Sequence, residues 1–254
     1  MAAHERAIQQ VAVTRRARQV LLWSVVLTLL LPRVPVLGVV AVPLMWLSTV
    51  AHELGHGLTA LALGGTLDRF VIRPDGSGVA FTGAPVGDVS GALVAAGGLV
   101  GPAIVAALWF ILARRPLAAR LCLALFGAGM VAAAVLVADP GFTRVYLGAV
   151  GGLALVVAGL ARAAWAQGVL VFLAVQMALS VFTRGDYLFT DVARSSAGDM
   201  PSDVAAMAVH LGGPFWVWGL VCGLVSLVVL VGGLAWYLRG ETRVRLRSLG
   251  ARGG

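Results

Sequence analysis

Two histidines and a glutamate carry the chemistry that this chain can offer: His52-Glu53-Leu54-Gly55-His56, inside an apolar run from Val36 to Leu63. On a helix, positions four apart share a face, so His52 and His56 can present two imidazoles to one metal ion. Zinc accepts neutral imidazole, and two such ligands leave room for a third protein ligand and a water. Glu53 can stand beside that water as a general base, the arrangement of metal-assisted hydrolysis. The plain alternative is a pair of buried, hydrogen-bonded histidines in a helical bundle. Ionisable groups clustered this closely in a membrane segment are costly unless something uses them, so the cluster reads as a functional site.

The elements that must position these residues lie in a membrane. Of 254 residues, 60% are hydrophobic and 12% charged, and the mean hydropathy is +0.95. Several apolar runs approach bilayer-spanning length. The expected fold is an all-α polytopic membrane protein with six or seven transmembrane helices and a small β-hairpin after the motif helix. Residues 1–254 read as one membrane-embedded domain, because no polar stretch is long enough to build a soluble core. The net charge of +8 comes from arginine, since the chain has no lysine. The arginines fall in short patches beside apolar segments, where they anchor helices and meet lipid headgroups; they do not form a nucleic-acid surface. Cys122 and Cys222 sit far apart in apolar runs and read as packed thiols.

In chain order, a polar, arginine-containing start (Met1 to Gln19) precedes a first helix near Val20 to Leu31, read as an uncleaved membrane segment. Pro32 and Pro35 make a turn before the motif helix, Val36 to Leu63, in which Pro43 can introduce a kink. Gly64-Gly65 supplies its stop. His52 and His56 therefore lie below the helix end, where water can enter from one face. Between Thr66 and Pro85, apolar residues flank Pro74-Asp75-Gly76, which reads as a β-hairpin or equally as a simple interhelical loop. A strand beside a metal site could capture extended peptide by strand addition. Helices are expected at Val89–Leu112, Leu121–Ala138, Val145–Leu160, Gly168–Thr183 and Pro214–Leu238, with Met200–Gly213 as a bridge and a basic tail from 239 to 254. Gly97, Gly98, Gly101 and Pro102 read as helix-packing positions. Arginines divide almost evenly between the two faces, so charge does not set the orientation.

A catalytic zinc site needs a third protein ligand. The candidates are Asp139, Asp186, Asp191, Asp199, Asp203 and His210. Asp139 and Asp186 both emerge on the side where the motif helix ends; Asp139 precedes Pro-Gly and reads as a turn residue, and Ser202-Asp203 reads equally well as a helix N-cap.

A His-Glu-x-x-His motif in a hydrophobic segment, followed by Gly64-Gly65, resembles the site-2 protease family of intramembrane zinc metalloproteases, in its compact bacterial branch. A glycine-rich helix with Gly97-Gly98 and Gly101-Pro102, and a late Gly185-Asp186-Tyr187-Leu188-Phe189, extend the likeness. The resemblance implies a bacterial plasma membrane, a membrane-protein substrate, zinc held by His52, His56 and an aspartate from a late segment, and Glu53 as the catalytic residue. The aspartate role falls best on Asp186, with Asp203 as runner-up. The chain departs from better-known members in lacking a Leu-Asp-Gly motif and any asparagine. The expected activity is hydrolysis of peptide bonds in membrane-spanning or membrane-adjacent proteins. The alternatives are a non-proteolytic zinc-binding scaffold or regulator and, last, a small transporter.

Overall fold

The computed structural model describes residues 18–30, 38–83, 87–183, 186–195 and 198–250. In lipid every backbone polar group must be satisfied internally, and helices do this within one segment. The chain accordingly forms α1 (Arg18–Leu30), α2 (Gly38–Ala62), the hairpin β1 (Thr66–Ile72) and β2 (Gly78–Gly83), then α3 (Asp88–Leu112), α4 (Pro116–Leu136), α5 (Phe142–Leu160) and α6 (Ala163–Thr183). A short α7 (Asp186–Phe189), a second hairpin of β3 (Val192–Ser195) and β4 (Gly198–Pro201), α8 (Asp203–Leu211) and α9 (Phe215–Gly250) complete it. Among the described residues, α3, α4, α5, α6 and α9 are long and apolar enough to cross a bilayer, so the chain is an integral membrane protein. The motif helix α2 equals α3 in length, at 25 residues.

Boundaries differ from expectation where local chemistry allows an earlier start. Helix α4 opens on Pro116, since proline in the first turn gives up an N–H that has no helical partner there. Helix α9 does not stop near Leu238 but continues to Gly250, so the basic tail begins as helix. The turn expected at Pro32 and Pro35 lies outside the described residues, as does Gly185.

Helix α2 ends as its sequence implies. Gly64 adopts φ +85°, and the Gly65 N–H donates to the Ala60 carbonyl at 2.8 Å. Helix α3 then runs antiparallel along it. A Cβ on Gly55 would strike the Gly97 carbonyl, one on Gly97 would strike Thr59, and Gly101 faces Ala51 and Gly55. Lipid offers no hydrophobic drive to pair helices, so such close backbone approach supplies packing instead. Behind this pair, Ala103, Ala106 and Phe110 of α3 meet Leu170, Val171 and Ala174 of α6 in the main core.

The first hairpin folds back along α2. Its turn is closed by the Gly76 N–H donating to the Arg73 carbonyl at 2.9 Å, with Gly76 at φ +86°. The tip is pinned where Trp46 Nε1 donates to the Pro74 carbonyl at 3.1 Å and Thr49 Oγ1 to the Gly76 carbonyl at 2.7 Å. The outer edge of β1 is sealed: Phe70 N–H donates to the Val137 carbonyl and Asp139 N–H to the Phe70 carbonyl. Thr143 of α5 both accepts from the Ile72 N–H and donates to its carbonyl. The hairpin's remaining edge, β2, faces α2.

The second hairpin has no counterpart in the sequence reading, in which only Met200 and Pro201 fall within the expected bridge, Met200–Gly213. Its base is closed by Ser202, whose N–H donates to the Asp191 carbonyl at 2.9 Å and whose hydroxyl donates to the Thr190 carbonyl at 2.6 Å. Ser202 also caps α8 by accepting from the Ala205 N–H. Helix α8 packs through Val204 and Met207 on Ala92, Ala95 and Leu99 of α3 and on Cys222 of α9. Both cysteines are free thiols.

Candidate metal centre

One turn of α2 places His52 and His56 above one another, with their Nε2 atoms 3.2 Å apart. The carboxylate brought to them is that of Asp203, at the first turn of α8. Its Oδ2 lies 3.0 Å from His52 Nε2 and 3.4 Å from His56 Nε2. Zinc bonds of about 2.0–2.2 Å in tetrahedral directions hold ligand atoms roughly 3.3 Å apart, so the three edges suit such an ion. The tautomer of His56 points the same way. Its Nδ1 lies 2.8 Å from the Val94 carbonyl, which can only accept, so Nδ1 carries the proton and Nε2 is free to ligate. With a carboxylate oxygen 3.4 Å away, that nitrogen holds either a second proton or a metal ion. Burial works against the ionised Asp203, but protonated imidazoles at His52 and His56 more than reverse this and hold its carboxyl below the usual carboxylate range.

Asp203 thus stands with the histidines among the described side chains. Asp186 opens α7, and its side chain lies outside the described residues. Local reading gave Ser202-Asp203 to a helix cap; Ser202 does cap α8, which leaves the neighbouring aspartate free to reach α2. The other candidates are occupied elsewhere or exposed. Asp139 pairs with Arg69 at 3.0 Å, and His210 with Asp88 at 3.3 Å. Asp191 sits at the base of the second hairpin, and Asp199 is exposed on β4.

Glu53, on the same turn, is only 5% exposed. Its carboxylate accepts a hydrogen bond from the Ala80 N–H of β2. Phe70 turns its backbone groups away from β2 and is paired with Ala80, so Ala80 must point its own toward α2. Gly78 makes the close passage possible: a Cβ there would meet Glu53 Oε1 and Thr49 Cγ2. Gly98 does the same for the metal ligand, since a Cβ at that position would overlap the His56 ring. Sequence reasoning assigned Gly98 to helix packing alone. Nothing local separates it from Gly97 and Gly101, which do pack against α2.

His52, Glu53, His56 and Asp203 open into one cleft of about 840 Å³. Its walls are the β2 edge (Gly78, Ala80, Thr82), the second hairpin (Val192, Arg194) and the start of α3.

No curated protein and no solved structure gives a significant match to the chain. A family model described as Peptidase M50B-like matches residues 20–233, and the chain therefore belongs to that family of membrane metallopeptidases, the site-2 protease family.

Proposed function

We propose that the protein is a zinc endopeptidase of a bacterial plasma membrane that cleaves membrane-spanning or membrane-adjacent proteins. The observation that carries this reading is the convergence of His52 Nε2, His56 Nε2 and Asp203 Oδ2 at mutual distances of 3.0–3.4 Å, with Glu53 beside them in one cleft. In this reading His52, His56 and Asp203 hold the ion, and Asp186 gives up the ligand role assigned to it from sequence. Bound there, zinc supplies Lewis-acid polarisation of a peptide carbonyl and acidifies water.

The chain's own groups do the rest. Glu53 is the general base: its carboxylate takes a proton from the attacking water and delivers it to the leaving amine. The Ala80 N–H fixes the orientation of that carboxylate. The Val94 carbonyl holds the His56 ring in the tautomer that ligates. The edge of β2, at Gly78 and Thr82 on either side of Ala80, takes the substrate as an added strand, because a protease must bind extended backbone and a transmembrane helix must first unwind.

Glu53→Gln tests the mechanism. The variant's carboxamide keeps the carboxylate's shape but loses the base, and removal of such a group costs on the order of 10²–10⁴ in rate. The expected result is loss of cleavage of a single-span reporter protein with zinc content unchanged. Normal turnover would overturn the assignment of Glu53.

A further inference from the structure

The proposed activity uses one strand edge, yet two hairpins line the cleft. Each is a separate two-stranded sheet with two edges, and the four edges are not equivalent. The β1 edge is closed by Val137 and Asp139. The β4 edge is a poor template. The Ser202 N–H to Asp191 carbonyl bond sets the alternation, so Pro201 and Asp199, paired with Val192 and Arg194, lie at positions whose backbone groups point outward. Pro201 has no N–H to give, and Asp199 adds a charge, both devices that blunt an edge. By the same alternation, Val192 and Arg194 of β3 point their N–H and C=O groups outward, with no proline or acidic residue at either position and no backbone partner outside their own hairpin among the described residues. The edges left to pair are therefore β2, at Gly78 and Thr82 on either side of Ala80, and β3, and both line the metal cleft without pairing with each other.

Resting on the peptidase reading above, we propose that the substrate lies as the central strand between β2 and β3. Its backbone groups alternate in direction along the strand. Residues of one parity then pair with Gly78 and Thr82, and residues of the other with Val192 and Arg194. The two hairpins become one five-stranded sheet around the scissile segment. Ser202 makes the second wall rigid relative to the site, because it joins the hairpin base at Thr190 and Asp191 directly to the helix that carries Asp203. Two-sided pairing selects on the backbone: it rejects proline and any residue of a persistent helix at every position, not at alternate ones. The substrate class is a membrane protein with a segment of several residues that unwinds completely.

The test is a backbone N-methyl scan. The probes are peptide hydroxamates that direct themselves to a zinc site, methylated at one amide at a time, with binding to the zinc-loaded Glu53→Gln protein in detergent read by fluorescence polarisation. Each methyl group removes one N–H, and the net value of a backbone hydrogen bond sets a loss of at least roughly threefold in affinity. The proposal expects such losses at both parities over successive residues. It also expects Val192→Pro to remove sensitivity at one parity only, with binding of the unmethylated probe weakened but retained. Losses confined to one parity would overturn the two-sided strand and leave the β2 edge intact. No binding of the unmethylated probe would overturn it together with the peptidase reading.

Discussion

Gly98→Ala adds one carbon to a buried helix face and should disable the metal site without touching a ligand. The new Cβ would overlap Cε1 and Nε2 of His56, the ring edge that faces Asp203. Helix α3 cannot retreat, because its far side packs through Ala103, Ala106 and Phe110 on α6 and through Ala107 on Gly233 of α9. The imidazole must therefore swing, which breaks the 2.8 Å bond from Nδ1 to the Val94 carbonyl. That bond is worth about 1 kcal/mol net. Loss of a partner that orients a metal-bound histidine costs about 10–100-fold in metal affinity, or about 1.4–2.8 kcal/mol. With the ring itself displaced, the upper end of that range is the minimum expected. The assay is zinc competition against a chromophoric chelator in detergent, with thermal unfolding as the folding control. Gly129→Ala and Gly148→Ala, where an added Cβ meets nothing within 4 Å, serve as neutral comparisons. Wild-type zinc affinity in a folded Gly98→Ala protein would refute the placement of α3 against the His56 ring.

Two further predictions concern the frame. Thr143→Val removes both hydrogen bonds that tie Ile72 to α5 and leaves two buried backbone groups unpaired, for an expected loss of about 2–4 kcal/mol in stability; unchanged thermal unfolding would contradict it. Ser202→Ala removes the α8 cap and the tie to Thr190, a loss of about 1–2 kcal/mol for the cap alone. It should weaken zinc binding, with substantial recovery in Ser202→Thr; equal affinity in all three proteins would show that Ser202 does not position Asp203.

The sequence made the local features plain and the tertiary ones obscure. The spacing of His52 and His56, the stop at Gly64-Gly65 and the turn at Pro74-Asp75-Gly76 depend on residues a few positions apart, and each appears where its local chemistry implies. Asp203 lies about 150 residues from the histidines, and its immediate neighbour Ser202 satisfies a local role completely. Only the packing of α8 through Val204 and Met207 onto α3 turns that carboxylate toward α2. The same holds for Gly98, which differs from Gly97 and Gly101 only in the helix face it presents. Asp139 was read as a turn residue; its backbone N–H in addition closes the β1 edge, a role set by contact with a strand 69 positions earlier in the chain. The second hairpin left a weaker signal than the first, since Val192-Ala193-Arg194-Ser195 offers no regular apolar alternation.

The most direct measurement is zinc per chain in protein purified without chelator, comparing wild type with Asp203→Ala and Asp186→Ala. The account predicts about one zinc in wild type, retained in Asp186→Ala and lost in Asp203→Ala. Zinc lost in Asp186→Ala and kept in Asp203→Ala, or no zinc in the wild type, would contradict it.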